Sequence, residues 1–386
     1  MSYDAIVVGA GISGAATAYH LRKAGAKTLL IERGEPASGG TGKSAAIIRQ
    51  SYSTPLLVRL ACASITMFEN AKVELGRDAG FVQDGYCFVV NAEMLDGAKK
   101  NVAMQRGLGT VNEWSEGPGF PQHLPEINPD GIAAIVYEPH GGYADPVRAT
   151  EAYVAAFQAL GGEFRARTPV RRLVRRGDRV TGVELDNGDV TANIVVNAAG
   201  PWAKLLAESA GLNLPMRSVR EQDTVWQVPA GRAVPKTSVS MGVDATYYRP
   251  LGQGRFIIGR GFPKEYVDVD PYNYKTTADA NFIADVQTRV ERRFPAFAGM
   301  KLIEAYAALY DVTPDWYPFV GPRTGIAGYA DFSGGSGHGF KIAPSIAREL
   351  ADWLLTGKVA DDFRQFSHDR IAAGNLFVQS FGGNRG

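Results

Sequence analysis

Residues 3–14, Tyr3-Asp4-Ala5-Ile6-Val7-Val8-Gly9-Ala10-Gly11-Ile12-Ser13-Gly14, decide the fold together with Thr28-Leu29-Leu30-Ile31-Glu32. A short apolar strand enters three glycines spaced G-x-G-x-x-G. An Ala-rich helical stretch from Ala15 to Ala24 follows, and a second apolar strand ends on an acid. Gly9 permits a tight turn, Gly11 lets the backbone approach a pyrophosphate, and Gly14 lets helix and strand pack closely. Free N–H groups and the dipole at the helix N-terminus favour an anion there. Glu32 suits the two hydroxyls of a ribose and would repel a 2′-phosphate, which argues against NADP. A glycine triplet alone is weak evidence. Strand, triplet, helix, strand and acid in register predict a dinucleotide site.

The 386 residues suit about two domains, and 45% hydrophobic content supports a full core. A net charge of +1 gives no electrostatic case for nucleic acid or an acidic membrane surface. The basic run Arg171 to Arg179 precedes strand-like residues and Gly-Asp and Asn-Gly turns, and reads as a solvated face. Two cysteines, Cys62 and Cys87, stand in apolar settings with no metal spacing, so buried thiols are expected and no metal. The nucleotide strand begins at once, leaving no room for a signal peptide, and no apolar run approaches the roughly 20 residues that cross a bilayer. A cytoplasmic protein is expected; nothing points to an oligomeric state.

The pattern along the chain predicts a discontinuous nucleotide domain of the Rossmann type from residues 1–80, 141–214 and 321–386. A substrate domain of α+β character, its sheet mostly antiparallel, would come from 81–140 and 215–320. Helices are expected near Thr54 to Gly76, from an Asp145 N-cap with Pro146 in the first turn, near Thr277 to Phe294, and from Pro344 to Leu355. Strands are expected over Phe164 to Val174, Val180 to Leu185, Val190 to Ala199 and Ile326 to Asp331.

The glycine loop Ser333 to Lys341 leads into a helix and makes a second N-terminus suited to negative charge. FAD explains two such ends better than NAD, because one serves the pyrophosphate and the other can face the flavin's pyrimidine edge. The loop Gly39-Gly40-Thr41-Gly42-Lys43-Ser44 can wrap the ring system. As a phosphate loop it fails, since position 37 is Ala37 rather than glycine.

Six stretches resemble the D-amino-acid-oxidase superfamily of flavoenzymes: Val7 to Gly14, Ile47-Ile48-Arg49-Gln50-Ser51-Tyr52, Gly142 to Pro146, Val196 to Trp202, Tyr310 to Asp315 and Gly337-His338-Gly339-Phe340-Lys341. They run in that family's order across nearly the whole chain, and monomeric sarcosine oxidase and glycine oxidase look most similar. The resemblance implies a glutathione-reductase-like FAD domain. It also implies oxidation of a small amino acid, an N-substituted glycine above all, to an imine, with O2 reduced to H2O2. The alternative is a dehydrogenase of an amino acid or 2-hydroxy acid that feeds a quinone or partner protein. Arg49 and Lys341 match a substrate-carboxylate clamp, and Tyr247 and Tyr310 match active-site tyrosines. Cofactor contacts are implied at Gly9, Ala10, Gly11, Ile12, Ser13, Gly14, Glu32, Arg33, Gly42, Lys43, Ser44, Ala45, Ala46, Val170, Ala199, Gly200, Trp202, Gly337, His338, Gly339, Phe340 and Lys341. Two departures stand out. Ala308 replaces the cysteine that tethers the flavin, implying non-covalent FAD. Ile257 falls where an oxygen-activating lysine is expected, with Arg260 or a residue of the carboxylate clamp as a candidate substitute.

Overall fold

The structure, a computed structural model, describes residues 2–381. The expected domain limits at Met1 and 382–386 lie outside the described residues. The strand Ser2–Val8 is buried along most of its length, as a strand covered on both faces must be. It pairs in parallel with Thr28–Ile31 on one side and Gly188–Asn197 on the other. Glu163–Arg165 and Ile326–Ser333 extend this parallel core outward. Antiparallel strands Arg172–Arg176, Arg179–Leu185 and Phe319–Arg323 complete an eight-stranded sheet. The helices Ile12–Lys23, Pro146–Ala159 and Ala343–Thr356 pack together in the core that covers it. The mixed α/β class expected for the cofactor half is the one observed.

Local chemistry fixes the entry to the first helix. Gly9 turns with φ +103° and donates its N–H to Ile31 O at 2.8 Å. A Cβ on Gly14 would stand 1.9 Å from Gly9 O, so the helix is seated against the turn only because residue 14 has no side chain. At the helix Pro146–Ala159, Asp145 accepts from the N–H groups of Val147 and Arg148, both at 3.0 Å.

A second, nine-stranded sheet is antiparallel except where Tyr86–Val90 runs beside Ser238–Met241. Its central order is Lys301–Val312, Arg217–Gln227, Arg255–Arg260, Thr246–Gly252 and Ser238–Met241. One face packs on the helix Ala280–Arg293 through Val286, Val290 and neighbouring aromatics. The other face is turned to the first sheet's loops.

Four expectations need correction. Phe164 to Val174 is not one strand: Glu163–Arg165 pairs with Thr28–Ile31, whereas Arg172–Arg176 forms a hairpin with Arg179–Leu185, and Arg167 with φ +50° turns the chain between them. The helix from Thr54 breaks at Asn70, whose side-chain amide donates to Thr66 O at 2.9 Å, so Pro55–Glu69 and Ala71–Glu74 are separate. The limit at 320/321 cuts the strand Phe319–Arg323, which pairs with Ile326–Ser333 in the parallel sheet. Cys87 is buried, but Cys62 is only half-buried.

Gly14→Ala should lower the midpoint of thermal unfolding, because overpacking of this kind costs about 1–3 kcal/mol. Gly107→Ala, in open space at the end of Leu95–Gly107, should be neutral or slightly stabilising. Calorimetric scans of the two variants side by side check this; equal midpoints would contradict it.

Candidate active site

A cleft of about 520 Å³ lies between the two sheets, within the ~300–1,000 Å³ range usual for ligand pockets. Its lining includes the carboxyl ends of the parallel strands (Val8, Ile31, Ala198) and the face of the antiparallel sheet (Glu221, Tyr247, Tyr310). Open parallel sheets bind ligands beyond the carboxyl ends of their strands.

At one end, Ile12 N–H donates to Thr41 Oγ1 at 3.2 Å, which brings the 39–44 loop over the first helix. Glu32 accepts from Ala10 N–H and Gly34 N–H, each at 2.8 Å, so its carboxylate also braces the turn it follows. The Arg33 guanidinium lies 3.6 Å from the ring centre of Trp202. Trp202 Nε1 and Ser333 Oγ, both buried, have no hydrogen-bond partner among the described residues, and both residues border the cleft. Orphaned donors, a glycine turn at a helix N-terminus and a flat stacked pair fit FAD.

Of the residues matched to cofactor contacts, Gly9, Gly11, Ile12, Ser13, Glu32, Arg33, Lys43, Ser44, Ala45, Ala46, Val170, Ala199, Gly200, Trp202, Gly337, Gly339, Phe340 and Lys341 border the cleft. Ala10, Gly14, Gly42 and His338 do not. Gly42 packs instead against the loop backbone, where a Cβ would meet Ala37 O at 2.4 Å. The His338 side chain faces away: Nε2 lies 2.6 Å from Trp316 O and Nδ1 3.5 Å from Tyr52 Oη. The Trp316 carbonyl requires a proton on Nε2, and burial pushes the imidazole down to about 3, so it is neutral. His338 holds its loop through the side chain and offers the cleft only its neighbours' backbone.

The four residues matched to catalysis all reach the cleft. Arg49 is buried with its guanidinium 4.6 Å from the Tyr52 ring centre. Its neighbour Gln50 donates its N–H to Glu138 Oε2 at 2.6 Å, fixing the segment. Lys341 is also buried, its ammonium 3.5 Å from His338 O and in no ion pair with a carboxylate among the described residues. Burial first, and the Arg49 charge second, pull the Lys341 ammonium well below the usual lysine range. The Arg49 guanidinium and the Lys341 amine thus face one end of the cleft, and a carboxylate there would pair with the first and favour the ammonium of the second.

The antiparallel sheet supplies groups that the sequence reading missed. Tyr247 Oη donates to Asp223 Oδ1, and Lys264 donates to Glu221 Oε2. Both acids lie on Arg217–Gln227 at alternate positions, hence on one face, and both border the cleft. Burial pushes Asp223 up to about 7. Ala308 borders the cleft beside Glu221, and neither cysteine does. Ile257 is buried in its strand, and Arg260 is committed elsewhere, to Asp285 and to Ala245 O at 3.0 Å, so it is not the substitute cation proposed for it.

A family profile, DAO, described as FAD dependent oxidoreductase, matches residues 4–353. The chain is similar to 4-methylaminobutanoate oxidase (formaldehyde-forming) of Paenarthrobacter nicotinovorans, 29% identical over 91% of this chain and 43% of that protein. It is similar to sarcosine oxidase subunit beta of Arthrobacter sp, 27% identical over 97% of this chain and 92% of that one. Among solved structures, L-proline dehydrogenase from P. horikoshii superposes with a TM-score of 0.89 at 26% identity, covering 97% of this chain and 99% of that one. The chain spans less than half the length of the first two curated relatives it matches. Among the described residues no helix is long and apolar enough to cross a membrane.

A carboxylate bound beside Lys341 should restore its ammonium, so binding takes up a proton and weakens as pH rises. Titrating acetate against the holoenzyme at several pH values, followed by flavin absorbance, should give that trend, and Lys341→Met should flatten it. A wild-type affinity independent of pH would contradict the assignment.

Proposed function

The chain belongs to the DAO family of FAD-dependent oxidoreductases, and on that premise we propose that it oxidises the C–N bond of a small amino acid. The substrate we infer is an N-substituted glycine, converted to an imine that water hydrolyses, with O2 reduced to H2O2. FAD, held without a covalent bond, supplies the two-electron acceptor when it is present. The observation that carries this reading is the pair of buried basic side chains, Arg49 and Lys341, at one end of a cleft whose other lining suits the dinucleotide.

Arg49 offers a planar fork to a carboxylate, and Lys341 adds a point charge from a second direction. Held there, the substrate is oriented along the cleft, and positioning of this kind is the main task the protein has. Tyr310 lies over the loop that carries Lys341; a Cβ on Gly337 would stand 2.3 Å from its ring, so glycine there lets the tyrosine close the cleft wall. The Tyr247 and Asp223 pair gives the cleft a polar wall on the antiparallel sheet.

A second reading, a dehydrogenase that passes electrons to a quinone or partner protein, is favoured by Ile257 at the position of the oxygen-activating lysine and by the diversion of Arg260 to Asp285. Substrate-dependent oxygen consumption against dye reduction separates the two.

Arg49→Ala should lower kcat/KM by about 30- to 1000-fold, some 2–4 kcal/mol, because the substrate anion is left half-paired in a partly dry site. Arg49→Lys should rescue only part of it. Full FAD content with unchanged kinetics would sink the clamp. Acid precipitation should release all the flavin, since Ala308 stands where a tether would be; colour left in the pellet would contradict this.

A further inference from the structure

One lateral row of the antiparallel sheet runs Tyr306, Asp223, Gly259, Tyr247 and Ser240 across five neighbouring strands. Side chains directly opposite on adjacent strands touch readily, but Asp223 and Tyr247 are separated by a whole strand, Arg255–Arg260. They meet because the residue between them is Gly259. A Cβ there would stand 2.3 Å from Asp223 Oδ1 and 2.3 Å from Tyr247 Oη. The missing side chain is therefore the space that the carboxylate–phenol contact fills.

The two acids of this face differ in what neutralises them. Glu221 has the Lys264 ammonium, itself anchored to Arg260 O at 2.7 Å. Asp223 has no ion pair among the described residues, and its one hydrogen-bond donor is the Tyr247 hydroxyl. Tyr310, from Lys301–Val312, borders the same cleft. A buried carboxylate with no cation in contact, in a cleft where Arg49 and Lys341 are placed to take a ligand's own carboxylate, is suited to a positive group on that ligand.

We infer that Asp223, oriented by Tyr247 through the gap at Gly259, receives the ammonium of the substrate and takes its proton. The step is balanced: a secondary ammonium, R2NH2+, and the carboxylate become the neutral amine, R2NH, and the carboxylic acid, and the N lone pair is freed for oxidation of the adjacent C–H. Asp223 is then a proton acceptor and Tyr247 its positioning residue, whose donated hydrogen bond favours the ionised acid. This rests on the proposed amino-acid oxidation and names the group that readies the amine. The groups facing Asp223 are Tyr247, Glu221, Lys264, Tyr306 and Tyr310. Burial raises Asp223 to about 7, near the range in which a general base works best.

The test uses the holoenzyme, with FAD content checked in every variant. Wild-type kcat/KM should fall on the acid side as Asp223 gains a proton. In Asp223→Asn the limb should move toward the free amine's own pKa, and kcat/KM at pH 7 should drop by roughly 100-fold or more. In Tyr247→Phe the limb should shift upward by roughly one pH unit, since the hydrogen bond that favours the anion is gone. Binding separates contact from structure. Asp223→Asn should weaken trimethylglycine, a permanent cation, about tenfold, yet leave methoxyacetate, which has no nitrogen, within about twofold. An unchanged acid limb in Asp223→Asn, equal weakening of both ligands, or wild-type enzyme that binds methoxyacetate but not trimethylglycine would each overturn the inference. If no amino acid bleaches the wild-type flavin, the proposed oxidation itself fails, a different result from a bleached flavin with a persistent limb.

Discussion

Two buried basic groups at one end of the cleft, the Arg49 guanidinium and the Lys341 amine, set the terms for everything else. Taking a guanidinium and an ammonium out of water is costly, and their mutual repulsion adds to it. The chain tolerates this because each is built into a rigid support. Arg49 follows the strand Ile47–Ile48, which pairs with Gly142–Tyr143, and the next residue is tied to the buried Glu138. Lys341 ends the loop after Ile326–Ser333, where the Asp311 carboxylate accepts from Gly334 N–H at 2.8 Å and Gly335 N–H at 3.1 Å. Asp311 belongs to the antiparallel sheet, so one sheet holds the loop of the other. Neither sheet alone could present the pair.

That division of labour gives the cleft its polarity. The parallel sheet contributes strand ends, the glycine turn and the helix N-terminus, features that suit phosphate and ribose. The antiparallel sheet contributes side chains standing up from alternate positions, and with them the acids and phenols. The two acids on the cleft face of Arg217–Gln227 differ by one neighbour: Lys264 beside Glu221, a tyrosine hydroxyl beside Asp223. A ligand lying across the two sheets therefore meets positive charge at the Arg49 and Lys341 end and a carboxylate on the facing wall.

What was legible in the sequence is what short spacing encodes. The glycine turn from Gly9 to Gly14, the Asp145 cap and the second strand ending at Glu32 are local patterns, and each forms as read. Arg49 and Lys341 were found only through the family resemblance, since nothing local says that residues 292 positions apart share a cleft. His338 misled because a side chain's direction in a loop depends on backbone angles: Ser336 at φ +48° and Gly337 at φ +78° turn the imidazole toward Trp316. Asp223, Gly259 and Tyr247 were invisible as a group, because strand order in the sheet, not sequence, makes them neighbours. Arg260 looked available as a cation until its strand register pointed it to Asp285.

The central claim is that the cleft reads a carboxylate with two cations and an amine beyond it. Anaerobic titration of the holoenzyme with N-methylglycine and with its neutral N-methylamide, followed by flavin absorbance, tests this most directly. The acid should bleach the flavin, and the amide, which keeps the amine and the C–H bond but lacks the anion, should do so at least about 100-fold less efficiently. Equal bleaching by the two would contradict the account.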